Sequence, residues 1–253
     1  MTGKEKALYV SSGTQSNLCG LLSTCWERGS EIFIGDKSHI ALYEQGSVSR
    51  WLFYVSFALT WWVCSRVDMD LWKGNVSQFG GVLVRTIPNA ADGSFDLEYL
   101  RTLLHTVDDS HFPRAKAICI EASHNMMGGT VPSLEWLCKL RDFANEYGYR
   151  VHLDAARGFN AAAHLGSKHH TNSASFYFSY LVSIKELCAF ADSVSICTSK
   201  GLGAPVGSLL CSDADTIKKA HRVRKALGGG MRQAGIIAAG CKLSDDNFTH
   251  TSP

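Results

Sequence analysis

The sequence predicts an α/β fold built on a largely parallel sheet, and three observations carry that prediction. Short apolar runs of strand length recur along the chain, helical patterns separate them, and most of the runs are apolar on both faces, as strands buried between two helix layers must be. Residues 7–10 (Ala-Leu-Tyr-Val) form the first strand. It breaks at Ser11-Ser12-Gly13-Thr14, and a helical pattern follows through Leu18, Leu21, Leu22 and Trp26. Residues 31–35 and 82–87 read as the second and third strands, and the turn chemistry of Pro88-Asn89-Ala90-Ala91-Asp92-Gly93 leads into a helix over 96–105. Residues 117–121 are a fourth strand, 134–147 an amphipathic helix, 151–154 a fifth strand and 193–197 a sixth. In such a sheet, functional groups collect at the carboxyl ends of the strands. Ser12-Gly13-Thr14, Glu121-Ala122-Ser123-His124, Asp154 and Thr198-Ser199-Lys200 all fall at such ends.

Composition narrows the class. With 253 residues, 45% of them hydrophobic, the chain can bury a substantial core, and a formal net charge of +2 gives no electrostatic footprint for nucleic acid. Nine cysteines without C-x-x-C spacing point to reduced thiols and a cytosolic setting. No metal site is expected, because His169-His170 lies near no paired cysteine. The apolar stretch 51–64 would span roughly 21 Å as a helix, against about 30 Å of hydrocarbon, so no membrane span is expected.

The chemistry is suggested by pairs of residues. Lys200 follows an apolar strand and enters the glycine-rich turn Gly201-Leu202-Gly203-Ala204-Pro205-Val206-Gly207. Asp154 ends an apolar strand, with Arg157 three residues on. A lysine amine, a buried acid and a nearby cation are what pyridoxal phosphate requires, for its aldehyde, its ring nitrogen and its phenolate oxygen respectively. An Asp154–Arg157 ion pair and a surface lysine are the plainer alternatives. Ser12, Gly13 and Thr14 precede a helix, where amides and the helix dipole favour an anion such as phosphate, although ordinary capping uses the same residues. Three glycines, Gly228-Gly229-Gly230, lead to Arg232, which suits either an anion-seeking loop or a helix C-cap with a solvated arginine.

These residues resemble the low-specificity L-threonine aldolases, members of the pyridoxal-phosphate fold-type I enzymes and relatives of the aromatic β-eliminating lyases. The resemblance rests on Gly13-Thr14-Gln15-Ser16-Asn17, Gly35-Asp36-Lys37-Ser38-His39-Ile40, Tyr43-Glu44-Gln45-Gly46, Glu121-Ala122-Ser123-His124-Asn125, Asp154-Ala155-Ala156-Arg157-Gly158, the run from Ser199 to Ser208, and Gly228-Gly229-Gly230-Met231-Arg232. It implies a fold-type I large domain, a three-layer α/β/α sandwich. It implies Lys200 as the covalent cofactor lysine, Asp154 on the pyridine nitrogen and Arg157 on the phenolic oxygen. Ser12, Gly13, Thr14 and Arg232 would hold the phosphate, with Arg232 reaching across a subunit boundary. His39 would stack on the ring and His124 would lie near the substrate hydroxyl, with either one the acid-base group. The implied reaction is cleavage of a β-hydroxy-α-amino acid, threonine giving glycine and acetaldehyde, in a homodimer or homotetramer. Elimination from an aromatic amino acid and a non-catalytic chain that keeps the core are the alternatives.

Against that family the chain departs in two ways. It begins just before the phosphate turn and stops soon after Arg232, so the N-terminal segment and the small C-terminal domain are expected to be absent. Stretches of about 46–73 and 167–181 read as insertions, since removing each joins family-like sequence on both sides. The expected organisation is therefore a cofactor-binding large domain over 1–240 and a short tail over 241–253.

Overall fold

In the computed structural model the described residues are 1–44, 81–105, 109–168 and 182–251, without the side chains of 167, 168 and 244–251. The stretch 46–73 with its aromatic residues, His169-His170, and the insertion at 167–181 save for the backbone of its first two residues, lie outside them.

Seven strands form one sheet in the order β1-β7-β6-β5-β4-β2-β3. They are β1 (Lys6–Val10), β2 (Ser30–Gly35), β3 (Leu83–Ile87), β4 (Arg114–Glu121), β5 (Arg150–Asp154), β6 (Ser193–Cys197) and β7 (Ser208–Ser212). Pairing is parallel from β3 through β2, β4 and β5 to β6, while β7 runs antiparallel to both β6 and β1. All the expected strands form, so the four polar strand ends share one edge. The sequence reading missed β7, which starts at once after the glycine-rich turn. Gly207 makes that reversal possible: its φ is +112°, and a Cβ there would run into the Tyr9 hydroxyl.

The helices are α1 (Gly13–Thr24), α2 (His39–Leu42), α3 (Leu97–Thr102), α4 (Leu134–Tyr147), α5 (Gly158–Lys168), α6 (Ile184–Ala189), α7 (Ala214–Ala226) and α8 (Gly235–Thr251). Helix α4 has the expected bounds. Ser133 caps it by accepting from the Trp136 amide, and Gly148 ends it in the left-handed region. Helix α3 is shorter than the expected 96–105. Asp96 is its cap, and the Leu103 amide closes it by turning back to the Leu100 and Arg101 carbonyls. The boundary expected at 240/241 falls inside α8, where Cys241 is buried with its Sγ 3.4 Å from Thr198 Oγ1.

Strand alternation divides the core between the two faces. Phe33, Ile118, Ile120, Val151, Leu153, Val194 and Ile196 face α3, α4, α5 and α6. On the other face, Ile32, Ile34, Ala117 and Cys119 pack under α1 and α2, and Leu8, Val10 and Leu210 pack under α1 and α7. The α1 face of β5 and β6 is different, because alternation places His152, Asp154, Ser193 and Ser195 there, all buried. Helix α1 meets this polar strip with small and polar residues, burying Ser16, Asn17, Gly20 and Ser23. A Cβ on Gly20 would come within 2.9 Å of the His152 ring, so the glycine lets helix and strand approach closely.

Candidate active site

Most of the expected site residues lie at the carboxyl ends of β4, β5 and β6, at the start of α1 and, for His39, at the start of α2. Asp154 closes β5 and is buried. Its Oδ2 accepts from Asn17 Nδ2 at 3.0 Å and its Oδ1 from the Ala156 amide at 3.1 Å. The Asp154–Arg157 ion pair does not form. Arg157 is half-buried, and its Nη1 donates to Asn125 Oδ1 at 3.3 Å. Burial pushes the Asp154 carboxyl above its ordinary range, while the Asn17 amide and the charges of His39 and Lys200 pull the other way.

Asn17 also donates through Nδ2 to Glu44 Oε1 at 2.8 Å, and Glu44 lies 3.2 Å from His39 Nδ1. Burial raises the Glu44 carboxyl, and the hydrogen bond to Glu44 raises the His39 imidazole. One ligand atom from each of His39, Glu44 and Asp154 lies within 4.8 Å of the others. The Asn17 amide donates to both carboxylates of this group.

Glu121, at the end of β4, ties the two histidine segments together. Its Oε2 accepts from the His39 amide at 2.7 Å and its Oε1 from the Asn125 amide at 2.8 Å, and His124 Nδ1 lies 3.9 Å from Oε2. His124 is buried, and neither ring nitrogen has a hydrogen-bond partner among the described residues. Burial lowers its imidazole. His39 is half-buried beside Tyr43, with ring centroids 5.8 Å apart.

Lys200 sits in a turn whose backbone is pinned by Gly203 N–H to the Lys200 carbonyl (2.9 Å) and Ala204 N–H to the Thr198 carbonyl (2.9 Å). The lysine side chain is exposed. Ser12 is the N-cap of α1, accepting from the Gln15 amide at 3.2 Å, and Gly13 and Thr14 open the helix. Across from Gly13, the Ser208 hydroxyl is buried with no partner among the described residues. Gly229 packs against the Gln15 side chain, which lays the glycine loop beside the first turn of α1. Arg232 itself is exposed and makes no hydrogen bond or ion pair with the described residues. The structure therefore joins Asp154, His39, Lys200 and His124 into one neighbourhood, with Arg157 tied to it through Asn125, and leaves Arg232 outside it.

Sequence reasoning passed over Asn17, Glu44, Glu121 and His152 as site residues. The signal available was alternation: His152 and Asp154, like Ser193 and Ser195, sit two apart and so share one strand face.

The beta-eliminating lyase family matches residues 1–51 and 71–250. The chain belongs to that family. Among curated relatives of this lyase-family chain, the low-specificity L-threonine aldolase 1 of Arabidopsis thaliana is 38% identical over 94% of the chain and 55% of the relative. The low specificity L-threonine aldolase of Escherichia coli O157:H7 is 37% identical over 94% of the chain and 57% of the relative. The chain thus spans about half the length of the curated relatives it matches. A solved structure of the Leishmania major threonine aldolase superposes with a TM-score of 0.66 at 19% identity, over 96% of this chain and 58% of that one. That match is to the fold. The family match leaves out 52–70, inside the stretch that reads as an insertion.

The residues of this lyase-family site fit pyridoxal phosphate. Asp154 is a buried acid whose hydrogen bonds come from neutral groups, so it has room for a cationic ring N–H. The start of α1 offers amides beside the Ser208 hydroxyl, which has no partner among the described residues, and the exposed Lys200 amine would be available to an aldehyde.

Proposed function

We propose that this chain is the cofactor-binding part of a pyridoxal-phosphate-dependent aldehyde-lyase that cleaves L-threonine and L-allo-threonine to glycine and an aldehyde. The observation that carries the reading is the burial of Asp154 at a strand end where it feels both Lys200 and His39. When bound, the cofactor would supply the electron sink that lets the Cα–Cβ bond of a β-hydroxy amino acid break.

Each residue has a part in this reading. Lys200 holds the cofactor aldehyde, Asp154 the ring nitrogen and Arg157 the phenolic oxygen. Ser12, Gly13, Thr14 and Arg232 take the phosphate. His39 covers the ring, and its Nδ1 faces Glu44, so a neutral His39 keeps its proton there and presents Nε2 as an acceptor. His39 and His124 are the two candidates to take the hydroxyl proton. The exposed Arg232, with no partner in its own chain among the described residues, supports a homodimer or homotetramer in which it reaches a neighbouring subunit. Eight free cysteines among the described residues, seven of them buried, support a reducing compartment such as the cytosol. No helix among the described residues is long and apolar enough to cross a membrane.

Purified chain mixed with pyridoxal phosphate should show the visible absorbance of the lysine-bound cofactor, and Lys200→Ala should lose it. Release of glycine from threonine then separates a lyase from a chain that binds cofactor without turnover. Ammonia and a keto acid from an aromatic amino acid would instead identify an eliminating lyase.

A further inference from the structure

Asn17 lies at the centre of a buried chain of hydrogen bonds that fixes which way its amide points. Its Nδ2 is 2.8 Å from Glu44 Oε1 and 3.0 Å from Asp154 Oδ2, and its Oδ1 is 3.1 Å from His152 Nε2. His152 Nδ1 is in turn 2.8 Å from Ser193 Oγ. All five residues are buried. With Nδ2 donating to Glu44 and Asp154, the amide oxygen is the atom that faces His152. His152 then carries its proton on Nε2 and donates it to Asn17. Burial drives this imidazole down to about 4, so it is neutral, and Nδ1 accepts from the Ser193 hydroxyl. Each donor in the chain meets an acceptor, and the order cannot be reversed without setting the amide oxygen against two carboxylates.

We propose that Asn17, locked by His152 and Ser193, is a positioning residue that holds Asp154 and Glu44 as a fixed pair of hydrogen-bond acceptors. This rests on the reading that Asp154 receives the pyridine nitrogen of pyridoxal phosphate. Glu44 carries the same constraint on to His39, so one amide sets both the acid that would receive the ring nitrogen and the tautomer of His39. The groups that face Asp154 are His39, Lys200, Glu44, Glu121 and Cys119. Among the described residues, the side chain that donates to Asp154 is that of Asn17.

The test is pyridoxal phosphate affinity as a function of pH, measured by cofactor fluorescence on the full chain and on Asn17→Leu, His152→Leu and His152→Gln. A glutamine amide places an N–H where His152 Nε2 stands, so His152→Gln should bind like the wild type. Asn17→Leu should bind about ten- to a hundredfold more weakly, the loss expected when a buried acceptor is left without its donor, and His152→Leu, which frees the Asn17 amide to turn, should also bind more weakly than the wild type. Their binding should also fail at a higher pH on acidification, because Asp154 without its donor protonates sooner. A role in packing alone predicts the reverse order, with leucine tolerated and buried glutamine costly. Binding by Asn17→Leu equal to wild type, or equal losses in the two His152 variants, overturns the proposal. If Asn17→Leu does not fold by circular dichroism, the His152 pair decides. Failure of the wild type to bind, or equal binding by Asp154→Asn, sinks the reading itself and this inference with it, whereas failure of the variant pattern alone sinks only the inference.

Discussion

At the residue scale, burial and pairing set the ionisation of the site in opposite directions for its two histidines. His39 is raised by its hydrogen bond to Glu44, and His124 is lowered by burial without a partner. If His39 takes the hydroxyl proton it must be neutral, so kcat/KM should climb as pH rises through its raised value. Glu44→Gln removes the anion that favours the imidazolium, lowers that value and should move the acid limb of the profile to lower pH. A profile that stays in place would assign the proton transfer elsewhere, with His124 the next group to replace. Glu121 deserves a separate measurement, since its two oxygens accept from the amides beside both histidines. In Glu121→Gln one of those amides faces a donor, and kcat should drop about tenfold or more for a misplaced proton acceptor. Retention of full kcat would show that the histidine segments hold their places without the clamp. Of these residues, Lys200, Asp154 and His124 stood out in the sequence because each sits at a strand end beside turn residues, whereas His39 entered only through the family resemblance. Asn17 did not stand out, because its partners His152 and Asp154 lie more than a hundred positions away and no local pattern reports so distant a contact.

At the scale of elements, α1 joins the phosphate-type turn to the polar strip. Its first turn is capped by Ser12, its fifth residue is Asn17, and Gly20 lets the helix lie against β5. Gly20→Val would bring methyl groups onto the His152 ring and the Leu210 side chain, which a Cβ alone would approach to 2.9 and 3.0 Å. The variant should lose about 1–3 kcal/mol by urea denaturation, the usual cost of overpacking a filled interior. Unchanged stability would mean that the crossing can open. The parallel strands were legible because each is a short apolar run between helical patterns. Strand β7 was not, since Ser208-Leu209-Leu210-Cys211-Ser212 follows the glycine turn without a polar break. Its antiparallel sense depends on the positive φ of Gly207, which sequence reports only as a glycine among others.

At the scale of the whole molecule, the chain carries the sheet and the site but about half the length of its curated relatives. The fold class was legible in full, because alternation of strands and helices is a property of the entire chain. The placing of Arg232 was not, since its side chain finds no partner in its own chain among the described residues. Cofactor binding should be visible at this scale. A ligand present at about a hundredfold over its dissociation constant stabilises the folded state by about 2.7 kcal/mol. Melting of the chain with saturating pyridoxal phosphate should accordingly shift upward, and the shift should shrink in Lys200→Ala. A melting temperature indifferent to the cofactor would contradict the proposed function.

The register of the sheet sets Glu121, Asp154 and Ser195 side by side across β4, β5 and β6. Because side chains alternate from face to face, deleting Val151 with the start of the strand held in register would turn both His152 and Asp154 to the opposite layer. Lengthening a connecting loop leaves that alignment untouched. For protein engineering this yields an asymmetric tolerance map, in which added loop residues leave the strand register in place while a single-codon loss in a central strand breaks the polar strip.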